Sequence, residues 1–251
     1  MVCSSQTKLI VACASLILSG IHIHNPEYKI QQWQIFSLTC LLLLGNGAVA
    51  SLPTHLLTRL NALGAILNGV ALFAFFIVIP TASVNTPKFG STTDVLETFR
   101  NGTDWPIGMA VLVSFLSVIW TVSGYDAPYH LTEECSNSAV AAPRAIMITS
   151  GLGGILGWFL VLLIGYTLID INEILNSGQP MANYLSQVLG KDGGLAFLSV
   201  VIICVYLCGQ SCLVVSSRLI FAYARDGALP GSSLWSIVST RTQTPIFAGI
   251  P

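Results

Sequence analysis

The sequence predicts an all-α integral membrane fold with about six transmembrane helices, one of them broken. Three observations predict it. Of the 251 residues, 53% are hydrophobic and only 8% are charged, and the mean hydropathy is +0.76. Soluble domains carry about a quarter charged residues, so this chain has too few charges to face water over its whole surface. The apolar residues also gather in runs near the roughly 20 residues that a helix needs to cross a bilayer core. None of these runs alternates with the period of 2 that a membrane barrel strand requires.

The expected spans follow in order. A short one covers residues 9–23, preceded only by Lys8, and a second covers 33–52 with LTCLLLLGNGAVASL. The third runs over 60–80 and ends in FAFFIVIP. The fourth starts at Pro106 and extends to about residue 135, interrupted near 121–127. The fifth covers 144–169 and the sixth 194–223. All belong to one membrane domain over 1–251. The first is not a signal peptide, because IHIHNPEYK follows it instead of a small-residue cleavage site. Its shortness predicts a chain that begins partway through a helix. After the sixth span, Gly227 and Pro230 stop the helix, and TPIFAGIP at 244–251 reads as the start of a further span.

Six alternating crossings place residues 25–32, 81–105 and 170–193 on one side of the membrane. The loops at 53–59, 133–143 and 225–245 then lie on the other. The second set, with its flanking helix ends, holds Arg59, Arg144, Arg218, Arg225 and Arg241. Lys29, Lys88, Arg100 and Lys191 of the first set sit among seven acidic residues. The excess of cations favours the second set as cytoplasmic. The Asn101-Gly102-Thr103 glycosylation pattern falls on the opposite, outer side, in agreement.

A net charge of −1 lacks the basic face that neutralises phosphates, so nucleic acid is excluded as a partner. The seven cysteines form no CxxC pair. Cys204, Cys208 and Cys212 share one helix face, with no His or carboxylate to complete a metal site. HExxH, GxSxG and paired intramembrane aspartates are all absent, which argues against an intramembrane enzyme. No cofactor or metal is expected.

The chemistry lies in residues 118–134, VIWTVSGYDAPYHLTEE. Pro128 has no N–H, so the carbonyl of Gly124, four residues earlier, loses its helical donor. Gly124 relaxes the backbone at the same place. The helix is therefore expected to open around 121–127 and free several carbonyls. Unpaired backbone is tolerated at bilayer depth only where it is buried in protein or lines a cavity, and broken midplane helices build substrate sites in many secondary transporters. Asp126 beside the break has two compatible readings. It is a cap for the second half-helix, or an ionisable coupling or gating group facing the interior. Trp120 is either an interfacial anchor or an aromatic that closes over a solute. His130 reads as an interior histidine, and Glu133 and Glu134 as a solvated end or a gate pair with Arg144.

Three motifs then carry a resemblance: SGYDAPYHLTEE with AAPRAIMIT, SSRLIFAYARDGALP, and RTQTP. In this order and spacing they resemble the amino acid–polyamine–organocation superfamily, most of all its fungal amino acid, GABA and choline permeases. HNPEY, QQW and LPTHLLTRLNALG fit the same family more loosely. The resemblance implies an incomplete part of a LeuT-like bundle, in which about twelve helices are built on an inverted five-helix repeat. The spans would correspond to the family's third helix, in its second half, through the eighth. The substrate site would draw on Trp120, Thr121, Val122, Ser123, Gly124 and Tyr125, with Asp126 in the coupling position.

The resemblance also implies a small amino-group solute as substrate and the lipid bilayer and protons as further partners. The membrane would be the plasma or vacuolar membrane. A choline-like quaternary amine is the alternative substrate, because Trp120 and Tyr125 suit an aromatic cage. The family's first helix, whose glycine-rich break receives the substrate carboxylate, has no counterpart here. A truncated, non-transporting fragment is therefore the second alternative.

Overall fold

The computed structural model describes residues 2–25, 27–86, 92–97, 101, 103–122, 124–125, 127–130, 137–235 and 237. All regular structure among them is helical. Five helices are long and apolar enough to cross a membrane, so the all-α membrane class predicted from composition holds. The chain divides into two units, residues 1–86 with 170–251, and residues 87–169.

The first unit contains α1 (Val2–His24), α2 (Gln32–Ala50), α3 (Thr54–Ala82), and then, after the second unit's helices, a short helix (Ile171–Asn176) and the long Pro180–Arg225 helix. The second unit contains α4 (Thr92–Leu96), α5 (Ile107–Val122), α6 (Ala127–His130) and α7 (Ser138–Thr167). In chain order the later elements of the first unit are α8 (Ile171–Asn176), α9 (Pro180–Arg225) and α10 (Ser232–Trp235).

α9 is the spine of the first unit, and α1, α2 and α3 all pack against it. Ile10 of α1, Ile79 of α3, and Leu185 and Leu198 of α9 are almost completely buried. Ring contacts join Phe75 of α3 to Tyr184 and Phe197 of α9 at centroid separations of 6.3 and 5.8 Å. Outward positions such as Phe36, Leu41, Leu63, Ile66 and Phe73 remain exposed. A continuous apolar exterior of this kind is what a lipid-solvated bundle presents, since lipid does not penalise exposed aliphatic side chains.

α1 begins at Val2 rather than at residue 9. Gln6 in its early turns is only 5% exposed, and its side-chain nitrogen finds no partner among the described residues. Hydropathy misses this turn because it registers the glutamine's polarity and not its burial.

α9 does not run straight. Gly190 has φ 74° and ψ 176°, a conformation open to glycine and strained for other residues. The chain turns there, so that Pro180–Leu189 folds back on the start of the long segment. A Cβ on Gly194 would lie 2.9 Å from Ser186 Cα and 3.0 Å from the Leu185 carbonyl oxygen. The two stretches of backbone are thus in direct contact. α8 is capped ahead of this strap by Asp170, whose carboxylate accepts from the N–H groups of Asn172 and Glu173.

Polar groups inside the first unit divide into two kinds. Ser211 Oγ of α9 donates to Asn61 Oδ1 of α3 at 3.2 Å, a satisfied interhelical bond. The side-chain amides of Asn46 (0% exposed) and Gln210 (2% exposed) find no partner among the described residues. A buried polar group left unpaired costs about 1–3 kcal/mol, whereas an apolar group of similar shape avoids that penalty. Asn46→Leu and Gln210→Met are therefore expected to raise the melting temperature of the purified chain in detergent. A fall in both would mean that the two amides are satisfied in solution.

In the second unit, α7 packs against α4, α5 and α6. Gly165 admits Val95 of α4, whose Cγ1 would stand 2.9 Å from an added Cβ. Met147, Ile148, Leu152, Ile155, Trp158 and Val161 of α7 are exposed around its circumference. A helix apolar on all sides needs lipid or further protein around it.

Candidate functional site: the interrupted helix at Gly124

α5 rises as an apolar helix of 16 residues, IGMAVLVSFLSVIWTV, and ends at Val122. β-Branched Val, Ile and Thr are frequent in it, and its length falls short of a full crossing. It therefore does not count among the five long helices and stands as a sixth, shorter apolar one. Gly124 follows with φ 93°. This positive φ excludes a continuing right-handed helix, and it is strained for any residue with a Cβ. The chain resumes helical geometry at Ala127, with Pro128 in the first turn of α6, where a missing N–H is harmless.

The Gly124 carbonyl is not left open. It accepts a turn hydrogen bond from the Ala127 N–H at 3.1 Å. This corrects the expectation that Pro128 strips that carbonyl of its donor, because the chain turns before the proline and an earlier N–H takes over. The last carbonyls of a helix lack intrahelical donors, and those of Trp120, Thr121 and Val122 close α5. They also form the negative end of the helix dipole, which favours a cation.

The residues singled out from sequence fall at the break as follows. Trp120, Thr121 and Val122 are the final residues of α5, and their backbone alone is described. Gly124 and Tyr125 form the turn, and Tyr125 is 47% exposed. Ser123 and Asp126 lie outside the described residues, as do Glu133, Glu134 and the 244–251 run. The backbone of His130 closes α6. Among the described residues no cluster of His, Cys, Asp or Glu is arranged to hold a metal. The cysteine stripe of α9 is split, with Cys204 buried and Cys208 exposed.

A set of apolar, membrane-length helices agrees with comparison to known proteins. Residues 3–250 match the sequence profile of the family described as amino acid permease. The chain belongs to the amino acid permease family. It is similar to an uncharacterised amino-acid permease of Schizosaccharomyces pombe, with 46% identity over 236 residues, covering 92% of this chain and 43% of that protein. It is also similar to a putative polyamine transporter of Candida albicans, 39% identical over 249 residues, covering 95% of this chain and 45% of the other. An amino-acid permease of Arabidopsis thaliana is 28% identical over 248 residues, covering 93% and 47%. The permease chain thus spans less than half the length of these relatives. It is an integral, multi-pass membrane protein of a permease family, and the intramembrane-enzyme reading is set aside.

Proposed function

We propose that this permease chain is the part of a secondary transporter that contributes the interrupted helix to the solute site, and that the solute is an amino acid or a GABA-like amine. The observation that carries the reading is the stop of α5 at Val122 with Gly124 at φ 93°. It leaves the carbonyls of Trp120, Thr121 and Val122 at the negative end of a helix dipole. A primary ammonium has three N–H donors to give to such carbonyls. Ser123, Gly124 and Tyr125 complete the proposed contact set. Asp126 is the proposed proton-coupling group, since an ionisable residue beside a membrane break is by default a functional candidate.

Competition of GABA, choline and a basic amino acid for uptake tests the solute class in a chain extended to the length of its relatives. Inhibition by GABA with little effect of choline supports the amino-group reading. The exposed Tyr125 favours the second reading, a quaternary amine held against aromatic faces. Dominant inhibition by choline would select it.

The chain spans less than half the length of the relatives it matches. Vesicles containing the present chain by itself are therefore expected to show no saturable uptake of labelled GABA or choline above empty vesicles. Saturable uptake at rates comparable to a full-length permease would overturn that expectation.

A further inference from the structure

The first unit holds a second polar feature, separate from the break. At the end formed by residues 25–32 and 170–193, a cleft of about 680 Å³ opens between the last turn of α1 and the strap of α8 and early α9. Its wall carries His22, Glu173, Asn183 and Lys191. The charge distribution of the loops leads us to expect this end to face away from the cytoplasm. The volume lies within the range of small-molecule sites, about 300–1,000 Å³.

The charged groups are held in place. Glu173 Oε1 accepts from Asn183 Nδ2 at 3.2 Å, and Oε2 accepts from Gln187 Nε2 at 2.9 Å. Gln187 Nε2 also donates to Asn183 Oδ1 at 2.8 Å, which locks the two amides together. A carboxylate has about four acceptor positions, so Glu173 keeps room for an incoming donor. Lys191 Nζ donates to the His24 carbonyl at 3.0 Å, tying the long segment of α9 to the end of α1. Two of its three N–H donors are left for an acceptor. His22 Nδ1 lies 2.8 Å from the Tyr28 carbonyl oxygen. A carbonyl only accepts, so the proton sits on Nδ1 in the neutral ring.

The cleft therefore offers one anion and one cation, each held by hydrogen bonds, on a wall that also carries Ile23, Ile30 and Ala182. We propose that it is a binding site for a zwitterionic amino acid, with the ammonium on Glu173 and the carboxylate on Lys191. A polyamine would satisfy Glu173 but set a second positive charge against Lys191, and like-charge juxtaposition is how a site rejects the wrong ligand. The site gathers solute at the outer end of the first unit. It needs no residue of the break at Gly124, so it stands whether or not the proposed transport site does.

Calorimetric titration of the purified chain in detergent with GABA tests this, with putrescine as the dication and butyrate as the lone carboxylate. Saturable GABA binding with millimolar affinity is expected, tighter than that of either comparison ligand. Glu173→Gln and Lys191→Met, both at exposed positions, should each weaken GABA binding about tenfold or more. Lys191→Met should leave putrescine binding unchanged or improved. Ile155→Ala, on the exposed face of α7 and outside the cleft, should leave GABA binding unchanged. The proposal is overturned by an absence of saturable GABA binding, by GABA binding that keeps its affinity in both cleft variants, or by tighter binding of putrescine than GABA.

Discussion

Gly124→Val, introduced into a permease of full family length that carries this segment, is expected to reduce solute uptake by about tenfold or more. The reasoning is conformational. Gly124 has φ 93°, and among the described residues nothing lies within 4 Å of an added Cβ. The backbone conformation is what disfavours a side chain. A residue with a Cβ held at positive φ is strained by about 1–3 kcal/mol, and branching at Cβ adds to the restriction. Each 1.4 kcal/mol changes a population tenfold. Valine thus shifts the segment toward geometries in which the carbonyls of α5 are no longer presented at the turn. Gly124→Asn should fall between glycine and valine, because Asn tolerates positive φ better than other residues with a side chain. Initial uptake rates, corrected for surface expression, give the measurement. Equal rates for Gly, Asn and Val would show that the turn conformation does not matter to transport.

The second large effect is on stability. Gly194→Val is expected to lower the melting temperature of the chain more than substitution of any other helical glycine in the first unit. Its Cβ would stand 2.9 Å from Ser186 Cα and 3.0 Å from both Ser186 N and Leu185 O. All three are backbone atoms, so no rotamer change relieves the clash. The strap Pro180–Leu189 must move instead, and it carries the buried Ala182, Tyr184, Leu185 and Val188. Overpacking of this kind costs about 1–3 kcal/mol for modest additions, and displacing the strap also loosens the Phe75–Tyr184 contact. Gly69 is the internal control, since a Cβ there meets nothing within 4 Å. Gly69→Ala in the middle of α3 should stabilise by up to about 1 kcal/mol through helix propensity. If Gly194→Ala matched Gly69→Ala in a thermal melt, the close approach at Gly194 would be refuted.

Both sites also show how differently local and long-range features are written in a chain. Around Gly124, the glycine and Pro128 stand four residues apart, and their backbone chemistry acts on that same stretch. A stop in α5 follows from those residues alone. What the local rule missed was the bookkeeping of one carbonyl, because it could not tell whether the chain turns before the proline or at it. Gly190 and Gly194 carry no comparable signal. Gly190 reads as a glycine in a polar connector and Gly194 as the first residue of a span, and only the folded strap shows that one makes a turn and the other a contact.

The amino-acid sequence by itself determined the solvent, the helical class and the permease family. Charge content, apolar run length and neighbouring glycine and proline all act locally or in sum, so they can be read without knowing what touches what. Only the tertiary structure decided that α1 starts at Val2 with Gln6 inside, that α9 doubles back at Gly190, and that His22 shares a cleft with Glu173 and Lys191. These residues come from three separate segments, and no spacing rule links them. Their meeting depends on how α1, the strap and α9 pack, a cooperative outcome of many weak contacts that no short stretch of sequence contains.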